Sequence, residues 1–92
     1  MIVGSLKVRL LLRESRSLKN KRQVVRSITD RLRQQFNVSV AEVEVRDHHR
    51  LVVLGFAVVG EEVKPVRVCL EQLVNALRCH PVAEFLDHEL EV

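Results

Sequence analysis

Leu51-Val52-Val53-Leu54-Gly55-Phe56-Ala57-Val58-Val59 runs without a single charged or strongly polar residue and is closed by Gly60. Apolar residues at both parities describe a strand covered, or nearly so, on both faces, and such a strand belongs in the middle of a sheet. On its amino-terminal side, Asp47-His48-His49-Arg50 makes a compact polar turn, and Val38 to Arg46 reads as a second strand leading into it. There Val38 and Val40 share one parity while Ala41, Val43 and Val45 share the other, a switch that predicts a bulge near Val40.

Further out in both directions the period becomes helical. Leu18, Val25, Ile28, Leu32 and Phe36 recur at three-, four- and seven-residue steps, an amphipathic helix of about five turns. Ser17 is its N-cap candidate, and Asn37 suits a helix C-terminus. Beyond Gly60, Val66, Cys69, Leu70, Leu73 and Leu77 repeat the spacing, with Pro65 in the first turn and Pro81 barring continuation. The outermost segments alternate. Ile2, Leu6, Val8, Leu10 and Leu12 share a face with Gly4, and Ser5, Lys7, Arg9 and Arg13 lie on the other. Leu86, His88, Leu90 and Val92 alternate with Asp87, Glu89 and Glu91, a last strand acidic on its outer side.

The order is strand, helix, strand, strand, helix, strand, with short connections and no internal repeat, so residues 1–92 form one domain. The economical α+β architecture is a ferredoxin-like βαββαβ sandwich, a four-stranded antiparallel sheet with both helices on one face. Its usual order puts the first and third strands centrally and the last beside the first. A chain of this size buries roughly two thirds of its unfolded surface, and needs neither disulfide nor metal to fold.

With 47% apolar residues the chain is no disordered tail. No apolar run approaches the roughly 20 residues that cross a bilayer. Met1 to Leu12 is interrupted by Lys7 and Arg9 and lacks a cleavage site, so a cytoplasmic location without membrane attachment is expected. Cys69 falls on the apolar face of the second helix and Cys79 just past its end. They match no metal motif and are expected as buried or half-buried free thiols.

The net charge of +3 conceals an asymmetry. Residues 1–36 carry ten Lys or Arg against Glu14 and Asp30, whereas residues 37–92 carry five against ten acids. Either the basic third meets an anionic partner, or the two parts neutralise each other in the fold. Lys7 and Arg9 have a ready internal answer in acids of the last strand such as Glu89 and Glu91, at about 0.2–1 kcal/mol per cross-strand pair. The all-apolar third strand also implies bare apolar side chains on the sheet face the helices leave open, hence self-association as a homodimer through that face or an adjoining edge.

The sharper feature is Ser15-Arg16-Ser17-Leu18-Lys19-Asn20-Lys21-Arg22. Cations in the opening turns of a helix oppose its dipole, at a cost of about 0.3–1 kcal/mol per exposed residue. Hydroxyls, backbone N–H groups and cations together suit a phosphate. Ser15, Ser17, Lys19, Lys21, Arg22 and Arg26 are therefore the candidate anion- or nucleic-acid-binding residues. The alternative is a solvated face, or contacts with acids of this chain or a sister subunit.

Gly55-Phe56-Ala57-Val58-Val59 resembles the third-strand core of RNA-recognition motifs, which share the βαββαβ order. The first strand has no aromatic residue, and the chain holds only Phe36, Phe56 and Phe85, so base stacking is not expected. No acylphosphatase-like anion loop, P-loop, dinucleotide fingerprint or paired-cysteine metal motif occurs. His48 and His49 read as surface-turn residues, and His80 and His88 lack carboxylate or cysteine partners by spacing. No catalytic residue, metal site or cofactor is expected.

Three blocks together, residues 15–22, 36–43 and 53–59, resemble the YlxP-like family of small bacterial proteins, a domain of unknown function, over essentially the whole chain. The resemblance implies a ferredoxin-like fold, no known enzyme activity and a bacterial cytosolic setting. It also implies a link to the small ribosomal subunit, through genes often adjacent to translation initiation factor two and ribosome-binding factor A. The expectation is a non-enzymatic accessory protein that binds RNA or the small ribosomal subunit through its basic first helix. The alternative is a homo-oligomeric ligand-sensing or assembly module.

Overall fold

A computed structural model describes all of residues 1–92. The elements are β1 (Ile2–Leu11), α1 (Leu18–Gln35), β2 (Ser39–Glu44), β3 (Leu51–Gly60), α2 (Val63–Arg78) and β4 (Glu84–Glu91). The strands form one antiparallel sheet in the order β2-β3-β1-β4. This is the ferredoxin-like α+β arrangement the patterning predicts, with β1 and β3 in the centre.

Alternation decides which face each side chain takes. Leu6, Val8 and Leu10 stand opposite Phe56, Leu54 and Val52, and all six are buried beneath the helices. Ile28 and Leu32 of α1 and Val66, Leu70, Leu73 and Leu77 of α2 close the same interior. Close approach at one end depends on missing side chains. A Cβ on Gly4 would lie 2.5 Å from Cγ1 of Val66, and one on Gly60 2.7 Å from its Cγ2. Val66 thus nests in a notch between two glycines, which seats the first turns of α2 on the sheet.

Several local expectations change. The β2 bulge falls between Glu42 and Glu44, not near Val40. Val43 is the extra residue, and it lies over Gly55, whose absent side chain leaves it room. In β4 the register shifts so that Leu10 meets Phe85 and Arg9 meets Asp87, which turns Leu86 outward as the bulged residue. α1 ends in an extended Phe36, and Asn37 adopts no left-handed conformation. Both cysteines are free thiols, but Cys79 is exposed because α2 stops one residue before it. Burial raises the pKa of the half-buried Cys69. No helix is long and apolar enough to cross a membrane.

The open sheet face is also less apolar than the third strand implied. Val53 is only 1% exposed although it points away from the helices. It stands between Arg9 and Glu44, whose long stems suit an apolar neighbour. Gly55 and Ala57 add little surface, and the bare apolar side chains include Val43, 48% exposed over Gly55, and Val3 opposite Val59, 54% and 63% exposed.

The glycine notch makes a coupled prediction. Gly4→Ala lowers the stability to chemical denaturation by about 1–3 kcal/mol through overpacking against Val66. In a Val66→Ala background the same substitution costs less, so the double-mutant cycle shows a favourable coupling.

Candidate nucleic-acid interface

The entry to α1 is built from side chains that bond locally. Ser17 is extended and its Oγ accepts the Asn20 N–H at 3.0 Å, an N-cap bond that satisfies one donor of the first turn. The Asn20 Oδ1 accepts the Arg16 N–H at 3.4 Å. Ser15 is buried, and its hydroxyl donates to the Ser17 carbonyl at 3.3 Å. Both serine hydroxyls are engaged within the chain, in place of the phosphate contact their type suggested.

Lys21 departs further from expectation. Its side chain is 1% exposed, and its ammonium donates to the carbonyls of His48 at 2.6 Å and Val45 at 2.9 Å. Glu42 Oε2, 3.1 Å away, completes the set as an ion pair, although it receives no aligned hydrogen bond. An ammonium has three protons to place, and three acceptors surround it. Lys21 is therefore no surface cation; it fastens α1 to β2 and to the turn before β3.

That turn is tightly specified. Val45 holds φ of 48°, a left-handed conformation unfavourable for a β-branched residue, and its carbonyl accepts from both Lys21 and the His48 N–H. His48 Nδ1 accepts the N–H groups of Arg50 and Leu51, each at 3.1 Å. Arg50 ties the turn to the loop after β1: its carbonyl accepts the Leu12 N–H at 2.7 Å and its Nε donates to the Ser15 carbonyl at 3.3 Å. The two connections thus meet at one end of the sheet.

The cations divide into two groups. On the open sheet face, Lys7 lies 3.2 Å from Glu44 and 3.9 Å from Glu89, Arg9 pairs with Asp87 at 2.9 Å, and Arg13 with Glu84 at 2.6 Å. Hydrogen bonds to those carboxylates raise the pKa values of Arg9 and Arg13. Glu91 stands opposite Ser5 and pairs with no cation. Along α1 the situation is reversed. Lys19, Arg22 and Arg26 are exposed, and the one acid of that helix, Asp30, lies 3.2 Å from Arg33 and 4.0 Å from Arg26. Lys19 and Arg22 have no ion-pair partner.

Sequence reasoning assigned Lys21 to the wrong surface, although a signal was present. Leu18, Lys21, Val25, Ile28 and Leu32 follow one helical stripe, and Glu42 shares the inward parity of Val40. A cation and an anion, each on an apolar face, announce a buried pair.

Elsewhere, no cluster of three or more His, Cys, Asp or Glu side chains is placed to hold a metal. A depression of about 190 Å³ between the helices includes Arg31, Cys79 and His80. Burial, aided by Arg31, lowers the His80 pKa. Its Nδ1 accepts the Val82 N–H at 3.3 Å, which leaves no histidine base turned on the thiol through that nitrogen.

Comparison with known proteins matches residues 3–90 to a family described as "Protein of unknown function (DUF503)". No curated protein matches the chain.

The buried ammonium sets a clear expectation. Lys21→Met strands Glu42 and two turn carbonyls, at a cost on the order of 3–5 kcal/mol in chemical denaturation. Amide exchange of the turn residues should accelerate more than that of the β1–β3 ladder.

Proposed function

The chain belongs to the DUF503 family, whose function is unknown, and we propose that it is a small, non-enzymatic accessory protein of the cytoplasm that binds RNA. The contacting surface is the outer side of α1, through Lys19, Arg22 and Arg26, and the small ribosomal subunit is the partner the YlxP-like resemblance favours. One observation carries this reading: the cations of the sheet are neutralised by β4 and β2, whereas those opening α1 stand exposed with almost no acid beside them. Unneutralised positive charge at a helix start costs stability, and a phosphate backbone repays that cost by releasing counterions. Recognition is by charge rather than stacking, because Phe56 points beneath the helices and is buried.

Binding to ribosomal RNA or small subunits should weaken steeply with salt. Changing Lys19, Arg22 and Arg26 to Ala should lower the slope of log affinity against log salt by about one per lost phosphate contact. Association that ignores salt, or that survives the triple substitution unchanged, contradicts the reading.

A second reading is a homodimer that acts as an assembly or ligand-sensing module. Val3 and Val59, exposed opposite each other, and the free edges of β2 and β4 favour it. Light scattering at high concentration should then give twice the chain mass, falling to one on Val59→Lys; a strict monomer contradicts it.

A further inference from the structure

We infer that the turn between β2 and β3 is a second phosphate-contacting element beside α1, and that the RNA recognised is a duplex gripped by its backbone. This inference rests on the RNA-binding reading above and extends it to residues outside the helix.

Five exposed cations at this end of the sheet have no ion-pair partner: Arg16, Lys19, Arg22, Arg46 and Arg50. Only Glu14 and Asp47 accompany them as exposed acids on the two connections, because Glu42 is consumed by Lys21. Two of the five come from the turn. The turn cannot drift away from α1, since the Lys21 ammonium holds two of its carbonyls and Arg50 reaches the Ser15 carbonyl. His48 fixes its interior by accepting two N–H groups at once. The backbone segments that carry these cations are thus tied to one another.

Such an array fits one kind of RNA better than another. Single strands are gripped by stacking their bases on aromatic rings. Here Phe56 is buried, Phe36 closes the far end of α1, and the Phe85 ring lies under Arg78 at 4.3 Å. The rings of His48 and His49 stack on each other, 5.9 Å between centroids. A duplex hides its bases and presents phosphates and 2′-hydroxyls at fixed spacing, which a rigid cationic surface reads by shape.

The test is fluorescence anisotropy with an RNA duplex of about 16 base pairs and a single strand of the same length, over a salt series. The duplex should bind more tightly. Arg16→Ala and Arg46→Ala should each lower the salt slope by about one, and Arg46→Lys should restore it. Equal binding of duplex and single strand overturns the inference. So does an unchanged slope in the Arg46→Ala protein while Lys19→Ala/Arg22→Ala lowers it, a result that leaves the reading of α1 standing. Failure to bind either RNA overturns both.

Discussion

Lys21 carries an ammonium group into a part of the molecule that water hardly reaches. Such a charge costs several kcal/mol unless its environment replaces the lost hydration. The replacement comes from three places that are distant in sequence: Glu42 in β2, and the carbonyls of Val45 and His48. Satisfying that one group fixes much else. Glu42 must face the helices, opposite Leu54, where an apolar residue would otherwise stand. The chain must bend sharply at Val45, in a backbone conformation that a β-branched residue adopts only when its surroundings compel it. The first turns of α1 must lie against the turn that precedes β3.

The pairing also redistributes the charge of the basic amino-terminal third. Three of its cations reach across the sheet to acids of β2 and β4, and Lys21 is withdrawn into the interior. Lys19 and Arg22, by contrast, oppose the α1 dipole with no carboxylate to offset them. The molecule therefore presents an internally balanced sheet face and an unbalanced cationic end. A partner rich in phosphate gains more from the second surface than the first, because there the long Arg26–Asp30 contact is the one internal ion pair at stake.

Much of this architecture is legible in the sequence. The uncharged run Leu51 to Val59 and the alternation from Ile2 identify the two central strands, and three-four spacing identifies both helices. Ser17 is recognisable as an N-cap because its side chain acts within one turn. What escapes is whatever depends on contacts between distant segments. The β2 bulge is placed by the open space over Gly55, and parity alone cannot locate that space. Leu86 looks inward by alternation until the register shift beside Arg9 turns it out. At the candidate site the residue types are legible and their availability is not: Ser15, Ser17 and Lys21 resemble surface ligands, yet the fold commits each of them inside the chain. Arg46 and Arg50 join the same end only because β1 and β3 are antiparallel neighbours.

The central claim is that RNA meets the cationic end and not the sheet. Backbone amide chemical shifts, followed by NMR while a duplex RNA is titrated into the protein, test it residue by residue. The account places the perturbed amides in residues 16–26 and 46–50, with Lys7, Arg9, Gly55 and Asp87 unmoved. Perturbations centred on the open face of β1 and β3, with residues 16–26 silent, would contradict it.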